Sequence, residues 1–210
     1  MPEDRPLYWW LLQSGDYFAR REFAFILDED VHLRYRCFAD QAEFEQELCK
    51  INPHKLDIGA VYSHKPKENK KHSDFKALER ELVFDIDLTD YDNVHLPFSC
   101  LPFQLDHFGF KARMWVFSGR RGVHCWVGDE KARKLTNAGR SAVAEYLSLI
   151  VVGSTHSGLN HLLKSPFCIH PKTGNVAVPL DVSKIREFDV TTCPRFSAIC
   201  WDTFCLIDSR

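Results

Sequence analysis

The chain has 210 residues, of which 45% are hydrophobic, and a formal net charge of −2 at pH 7. This length predicts a single domain over 1–210, and the apolar fraction is ample for a packed core. The near-neutral charge excludes a globally basic nucleic-acid-binding protein, so any polyanion site must be a local cluster of basic side chains. The apolar runs are too short to span a bilayer, so we expect no membrane partner.

Eight cysteines lie scattered along the sequence, without a Cys-x-x-Cys pair or a zinc-finger spacing. This pattern predicts reduced core thiols of an intracellular protein rather than a disulfide framework. Acidic residues and arginine precede the first apolar residues, which is not the order of a secretory signal peptide.

The first elements in the chain are predicted to be a β-hairpin and a helix. Residues 20–27 and 31–38 alternate between apolar and polar side chains on either side of an acidic turn. Asp40 and Glu43 resemble a capping box, which predicts a helix that ends near residues 52–53.

A third strand is predicted over 56–62, where Gly59 allows close approach of another backbone or of a ligand. The lysine-rich stretch 65–71 is either a solvated loop or a phosphate contact. A short helix is predicted over 75–80, leading into the next strand.

Residues 82–88 have the period of two that is typical of a strand. The alternation places Asp85 and Asp87 on the face opposite Phe84 and Ile86, about 7 Å apart along the strand. Two like charges on an apolar strand repel each other and lose hydration. A divalent cation such as Mg²⁺ or Mn²⁺ removes both costs, because carboxylate oxygens are its preferred ligands. The alternative is a half-exposed strand whose acids are solvated.

Two strands predicted at 113–118 and 123–127 flank a short loop with two glycines and two arginines. Gly119 and Gly122 let the backbone pass close to a bulky anion, and guanidinium groups suit phosphate oxygens. The candidate triphosphate contacts are Ser118, Arg120, Arg121 and His124. A hairpin turn with solvated arginines is the alternative, but beside the Asp-x-Asp strand the loop predicts a site for a metal and a triphosphate.

A long helix is predicted over 129–150, followed by a turn and a short helix over 158–166. His161 and Lys164 are three residues apart, which would place them on one face of a helical turn. His170 follows on an extended segment, so these side chains form a candidate cradle for a nucleoside triphosphate. For either histidine alone, a structural role is the alternative.

Together these blocks resemble the small catalytic subunit of the archaeal-eukaryotic DNA primase, in its eukaryotic form. The resemblance rests on residues 84–92, 117–127 and 160–174, and residues 57–64 look like a further signature block. It implies an α+β fold in which a mixed, mainly antiparallel sheet carries the acids on one face and packs helices against the other.

The resemblance also implies roles for the candidate residues. Two of the family's three catalytic, metal-binding carboxylates correspond to Asp85 and Asp87. The family's nucleotide-binding positions correspond to Arg34, Asp57, Ser118, Arg120, Arg121, His124, His161, Lys164 and His170. Among these, Asp57 matches a contact on the sugar side of the incoming nucleotide, and Lys164 and His170 match phosphate contacts.

The implied activity is template-directed synthesis of RNA primers for DNA replication, from ribonucleoside triphosphates on single-stranded DNA. Two Mg²⁺ or Mn²⁺ ions about 3.5–4 Å apart would activate the primer 3′-hydroxyl and neutralise the leaving pyrophosphate. The implied partners are the large primase subunit and the DNA polymerase α complex, and the implied location is the nucleus.

The chain departs from the family pattern in three places. No acid lies between Glu145 and Asp181, although the family has its third metal-binding aspartate near position 152. The family's helical subdomain is absent between residues 150 and 158. Cys100 stands alone where the family has a zinc-binding cysteine cluster. One cysteine cannot build a structural zinc site, so we expect the family zinc to be absent.

These departures predict that a nucleotide pocket survives while catalysis is impaired, because two carboxylates hold two metals poorly. The primase core would comprise an N-terminal part, 1–150, with the Asp-x-Asp and arginine-loop motifs, and a shortened C-terminal part, 151–210. A non-catalytic nucleotide- or partner-binding module is one alternative. An Asp-x-Asp phosphoesterase or glycosyltransferase is another, and the arginine loop and the His-Lys-His block argue against it.

Overall fold

The computed structural model describes residues 16–87, 105–148, 158–181 and 188–195. The predictions about Cys100, about the missing acid near position 152 and about the side chain of Asp87 lie outside the described residues. Within the described ranges, no helix combines the length and the apolar character that crossing a bilayer requires.

The described helices and strands follow one another along the chain as α1 (Asp16–Arg20), β1 (Arg21–Ile26), β2 (His32–Arg36), α2 (Gln41–Ile51), β3 (Lys55–Tyr62), β4 (Ala77–Glu79), β5 (Leu82–Asp87), β6 (Arg113–Phe117), β7 (Gly122–Val127), α3 (Glu130–Arg133), α4 (Asn137–Ser148), β8 (Leu163–Lys164) and β9 (Pro179–Leu180). The strands form two sheets, and within each sheet every pair of neighbouring strands is antiparallel. The first sheet has the order β2-β1-β3-β4, with β8 also paired to β3, and the second has the order β5-β7-β6-β9.

The predicted hairpin is confirmed, and one half of the predicted capping box is formed, at the Asp40 side chain. Strands β1 and β2 pair across the acidic turn. At the start of α2, the Asp40 side chain accepts a hydrogen bond of 2.8 Å from the backbone N–H of Glu43, and the Glu43 carboxylate in turn accepts one from the Ala39 N–H. The helix ends where Asn52 adopts the left-handed conformation, with φ of 46°.

The two sheets pack face to face through a shared apolar core. Phe23 and Ile58 of the first sheet belong to the same buried cluster as Val83, Val116 and Trp126 of the second sheet. Burial of aromatic and branched side chains on both facing surfaces removes a large apolar area from water, which stabilises the sandwich.

The opposite face of the second sheet packs against helices. Leu82, Phe84 and Ile86 of β5 share a buried cluster with Val143 and Leu147 of α4. The predicted alternation of β5 is therefore confirmed at these positions. On the other face, apolar Val83 is followed by Asp85, so the space between the sheets changes from an apolar core to a polar cleft along this strand.

The α+β class is confirmed, but several predicted elements differ. The described strands form two sheets rather than one, because β4 ends the first sheet and Arg80 and Glu81 separate it from β5. The helix predicted over 75–80 is wrong, since strand β4 lies there and pairs with β3. The long helix is divided at Thr136, whose hydroxyl accepts a hydrogen bond from the Gly139 N–H and caps α4.

The short helix predicted within 158–166 is also wrong. Leu163 and Lys164 form strand β8, which pairs with Asp57 and Ile58 of β3. The backbone N–H of Ser165 extends this contact by donating to the Leu56 carbonyl at 2.9 Å. Pairing with the edge of β3 satisfies backbone groups that an isolated helical turn would leave exposed, so the tertiary contact overrides the local spacing.

Candidate active site

A cleft of about 610 Å³ opens where the shared core ends, and residues from both sheets line it. The predicted site residues in its lining are Asp85, Ser118, Arg120, Arg121, His124, His161, Lys164 and His170. Three charged side chains of the lining were not predicted from the sequence: Asp30, Lys55 and Lys172. The structure thus brings segments that are far apart in the chain to one concave surface.

The acidic side of the cleft is built by strand register. Asp85 on β5 is the direct partner of His124 on β7, and His124 Nε2 lies 3.4 Å from Asp85 Oδ1. The His124 side chain is 6% exposed, whereas that of Asp85 is 38% exposed. His124 is therefore fixed by packing, and it orients a carboxylate that remains open to the cleft. The backbone of Asp87 pairs with Gly122, at the first residue after the arginine loop.

The arginine loop is a closed turn between β6 and β7. The Ser118 N–H donates to the Gly122 carbonyl at 2.8 Å, and the Gly122 N–H donates to the Ser118 hydroxyl at 3.0 Å. Gly119 has a φ of +91°, a value that side chains with a Cβ rarely adopt. Arg120 and Arg121 are exposed at the tip of the turn, so their guanidinium groups face the solvent-filled cleft.

A second turn, over 168–177, holds the arginine loop from behind. The Gly119 carbonyl accepts hydrogen bonds from the Thr173 hydroxyl at 2.7 Å and from the Asn175 amide at 3.0 Å. The His170 N–H donates to the Asn175 carbonyl at 2.7 Å. An added Cβ on Gly119 would lie 2.8 Å from the His170 Cβ, so the two turns are in close contact. Sequence reasoning missed Thr173 and Asn175, because only the folded pairing shows what their side chains contact.

Lys164 connects the first sheet to the arginine loop. It lies on β8, opposite Asp57 of β3, and its ammonium group donates a hydrogen bond to the Ser118 carbonyl. Burial is the main cause that lowers the pKa of Lys164 to about 8; Cys168 opposes the shift, and the nearby charge of Lys55 contributes to it. The predicted helical relation between His161 and Lys164 is wrong, although both side chains line the cleft.

His170 lies in a strongly basic environment. Partial burial and the nearby charges of Lys164, Arg120 and Lys172 lower the pKa of His170 to about 4. The imidazole is therefore neutral near pH 7, and it offers one donor and one acceptor without adding a positive charge.

Arg34 and Asp57 lie beside the cleft but do not line it. Arg34 forms an ion pair with the buried Glu22, with N–O distances of 3.0 and 3.2 Å. Asp57 is 3% exposed, and Lys55 Nζ lies 3.0 Å from its carboxylate. An added Cβ on Gly59 would lie 3.0 Å from side-chain atoms of Glu22 and of Leu162, so side chains make the close approach rather than a backbone or a ligand.

The α+β fold carries a cleft in which a carboxylate faces several basic side chains, a combination that suits a metal ion and a phosphate chain. A fold of this kind is found in the polymerase domain from Mycobacterium tuberculosis Ligase D in complex with DNA. The TM-score is 0.57 at 12% identity, and the match covers 81% of this chain and 77% of that one. At this identity the likeness shows the fold alone.

Sequence comparisons identify the family. The family model for the DNA primase small subunit matches residues 84–156 and 151–182. The DNA primase small subunit of Caenorhabditis elegans is 36% identical, with 100% of this chain and 89% of the relative covered. That of Drosophila melanogaster is 42% identical, with 92% and 77% covered. The chain belongs to the DNA primase small subunit family, which implies divalent-metal use and a replication complex with a large subunit.

The alignment with the nematode subunit extends over 366 positions, although this chain has 210 residues. The relative therefore carries internal segments that have no counterpart here. This agrees with the expectation that segments of the family pattern are missing.

Proposed function

We propose that this chain is the catalytic core of a DNA primase small subunit, a DNA-directed RNA polymerase that makes short RNA primers. The substrates would be ribonucleoside triphosphates and a single-stranded DNA template. The observation that carries the proposal is the shared cleft, where Asp85 of the second sheet faces the same space as Lys164 of the first sheet and the arginines of the loop. A carboxylate opposite a basic cluster suits a metal-bound triphosphate.

Asp85 and Asp87 are the residues proposed to hold Mg²⁺ or Mn²⁺. The Asp85 carboxylate fits a hard divalent cation, because its oxygens open onto the cleft and His124 packs behind it. Once bound, such ions would supply charge neutralisation at the phosphates and would favour ionisation of the attacking hydroxyl.

The basic side chains are proposed to bind and orient the triphosphate. Arg120 and Arg121 would make bidentate hydrogen bonds to phosphate oxygens, and His170 would donate one without a charge of its own. Lys164 would contribute a positive charge from the first sheet, since a bound polyanion favours its protonated form. Fixed donors of this kind stabilise the charge that develops during phosphoryl transfer.

The remaining predicted contacts complete the proposal. Ser118 would hold the loop closed and His124 would orient the catalytic carboxylate, while His161 would lie at the mouth of the cleft. Arg34 and Asp57 are proposed to contact the incoming nucleotide beside the cleft, Asp57 on the sugar side. The proposed partners are the large primase subunit and the DNA polymerase α complex, and the proposed location is the nucleus.

A second candidate function is a catalytically impaired nucleotide- or partner-binding module. It is favoured by one observation, the absence of any acidic residue between Glu145 and Asp181, where the family pattern has its third metal-binding acid. Losing a group that hydrogen-bonds to a metal ligand typically lowers activity roughly 10–100-fold. Losing a direct metal ligand should lower activity by at least as much.

Dinucleotide synthesis on a homopolymer DNA template, with Mn²⁺ and the complementary ribonucleotide, tests the proposal. The primase proposal predicts product from the purified chain and none from Asp85→Asn. If the chain is only a binding module, it should bind the nucleotide and make no product. Absence of both binding and product, in a folded preparation, would contradict both candidates.

A further inference from the structure

The connection between β3 and β4 brings together two histidines and an aspartate, none of which lines the cleft. His64 lies at the start of this connection, and His72 and Asp74 lie at its end. Their potential ligand atoms all lie within 4.8 Å of one another. Within the described ranges, this is the cluster whose side chains have the composition and spacing of a metal site.

The Ser63 hydroxyl holds one ring nitrogen of His64. The Ser63 hydroxyl donates to the Asp74 carbonyl at 3.3 Å and accepts from the Lys76 N–H at 3.1 Å. The same hydroxyl lies 3.0 Å from His64 Nδ1, within hydrogen-bond distance. The other ring nitrogen of His64, Nε2, lies 3.8 Å from Asp74 Oδ1. A histidine oriented in this way by a neighbour at its other nitrogen is typical of metal ligands.

The second histidine is held against the first. The rings of His64 and His72 stack with centroids 3.8 Å apart and an interplanar angle of 12°. His72 Nε2 lies 3.9 Å from a carboxylate oxygen of Glu68. The stacking keeps the two imidazoles side by side, within reach of the Asp74 carboxylate.

We propose that His64, His72 and Asp74 bind a divalent transition-metal ion, with Zn²⁺ the best match. Two imidazoles and a carboxylate suit zinc better than Mg²⁺ or Ca²⁺, which prefer sites made entirely of oxygen ligands. A tetrahedral zinc site with bonds of 2.0–2.1 Å needs ligand atoms about 3.3 Å apart. The cluster reaches this spacing by rotation of side chains, and Asp74, at 73% exposed, is open to such movement.

The bound ion would tie the two ends of the β3–β4 connection together. This segment contains the lysine-rich 3₁₀-helix Pro66–Lys71, and it follows the strand that carries Asp57. A metal crosslink restricts the unfolded chain and stabilises the folded connection. The site contains no cysteine, so it is separate from the cysteine-bound zinc of the family pattern.

Titration with Co²⁺ tests the proposal, because tetrahedral Co²⁺ absorbs visible light and substitutes for zinc. The full chain is first treated with a chelator and then titrated in excess Mg²⁺, which competes at the carboxylates of the cleft. We expect one Co²⁺ per chain with tetrahedral absorption, displaced by Zn²⁺, and a higher midpoint of thermal unfolding with Zn²⁺ than without it.

Variants separate this site from other histidines. His72→Gln and Asp74→Asn should each weaken Co²⁺ binding at least about tenfold and remove the Zn²⁺-dependent thermal shift. His54→Gln is the matched control, since His54 is 61% exposed and pairs with Asp28 outside the cluster. Near-ultraviolet circular dichroism checks folding, and Asp74→Asn decides the test if His72→Gln does not fold. The proposal would be overturned if the wild type showed no tetrahedral absorption, or if both cluster variants absorbed as strongly as the wild type.

Discussion

The two walls of the cleft are positioned in different ways. On the second-sheet wall, Asp85 and His124 are direct partners on adjacent strands, so the antiparallel register alone sets their relation. On the first-sheet wall, Lys164 lies on a two-residue strand that pairs with β3 and contacts the arginine loop through the Ser118 carbonyl. The acidic wall thus depends on one strand ladder, and the basic wall depends on a two-residue strand and its contact with the arginine loop.

This difference predicts how the walls respond to substitution. Changes on the acidic wall should alter chemistry while leaving the fold intact, because the strand ladder does not depend on the polar side chains. Changes on the basic wall should alter nucleotide affinity through the placement of the loop and turn as well as through direct contacts.

The largest effect is expected for Asp85→Asn. The amide keeps the size of the side chain but removes the negative charge that a divalent cation needs, so nucleotidyl transfer should fall at least about 100-fold. The midpoint of thermal unfolding should stay within the range of ordinary surface substitutions. Initial rates of primer synthesis with Mn²⁺ measure the loss of nucleotidyl transfer.

Asp28→Asn is the matched control, because that carboxylate is 83% exposed and does not line the cleft. It should keep wild-type activity. An active Asp85→Asn variant would mean that the acidic wall is not the metal-binding wall.

The next effect is expected for Gly119→Ala. The added Cβ would lie 2.8 Å from the His170 Cβ, and the positive φ adds strain, so unfolding free energy should fall by about 2–4 kcal/mol. Gly109→Ala is the control, since its φ is +69° but an added Cβ would meet no atom within 4 Å. The unfolding free energy of Gly109→Ala should fall by only about 1 kcal/mol. Equal losses in the two variants, measured by urea unfolding, would show that the contact between the turns contributes nothing.

A third, smaller effect concerns pH. The pKa of Lys164 is lowered to about 8 by burial, so the ammonium group loses its proton as pH rises through this value. Affinity for a nucleoside triphosphate should therefore fall by about tenfold between pH 7 and pH 9. Lys164→Arg should flatten the profile, because arginine stays protonated over this range. A profile in Lys164→Arg that matches the wild type would assign the pH dependence to another group.

The smallest effect is expected for Thr173→Val. This change keeps the shape of the side chain and removes the 2.7 Å hydrogen bond to the Gly119 carbonyl, while the Asn175 amide continues to donate to it. Nucleotide affinity should fall about threefold, corresponding to part of one hydrogen bond of about 0.5–1.5 kcal/mol. Thr191→Val loses a bond of equal length to Asp189 on an exposed turn, and it should leave affinity unchanged. If the two variants bound the nucleotide with equal affinity, Thr173 would not contribute to holding the arginine loop in place.

The sequence predicted the acidic wall better than the basic wall, and the reason is physical. The face of β5 on which Asp85 lies follows from a period of two, which is a local property of the strand, whereas the pairing of β5 with β7 was not predicted. Lys164 was placed on a helical turn because its spacing from His161 fits one, yet its strand exists only through pairing with β3. Local patterns cannot reveal such a distant partner.

The support of the arginine loop illustrates the same limit. Asp40 and Glu43 were recognisable as a capping pair because they act within one turn of helix. Thr173 and Asn175 act on Gly119, more than fifty positions earlier in the chain, and their own neighbourhood indicates only a turn. Hydrogen bonds of that kind become visible in the folded structure.

The central claim is that both walls act on one triphosphate. Calorimetric titration of a non-hydrolysable ribonucleoside triphosphate with Mn²⁺ tests it directly, using Arg120→Ala for the loop, Lys164→Ala for the first-sheet wall and Lys134→Ala as an exposed control. We predict that each cleft substitution weakens binding at least about tenfold and that the control does not. Wild-type affinity in either cleft variant, with the protein folded, would contradict a shared site.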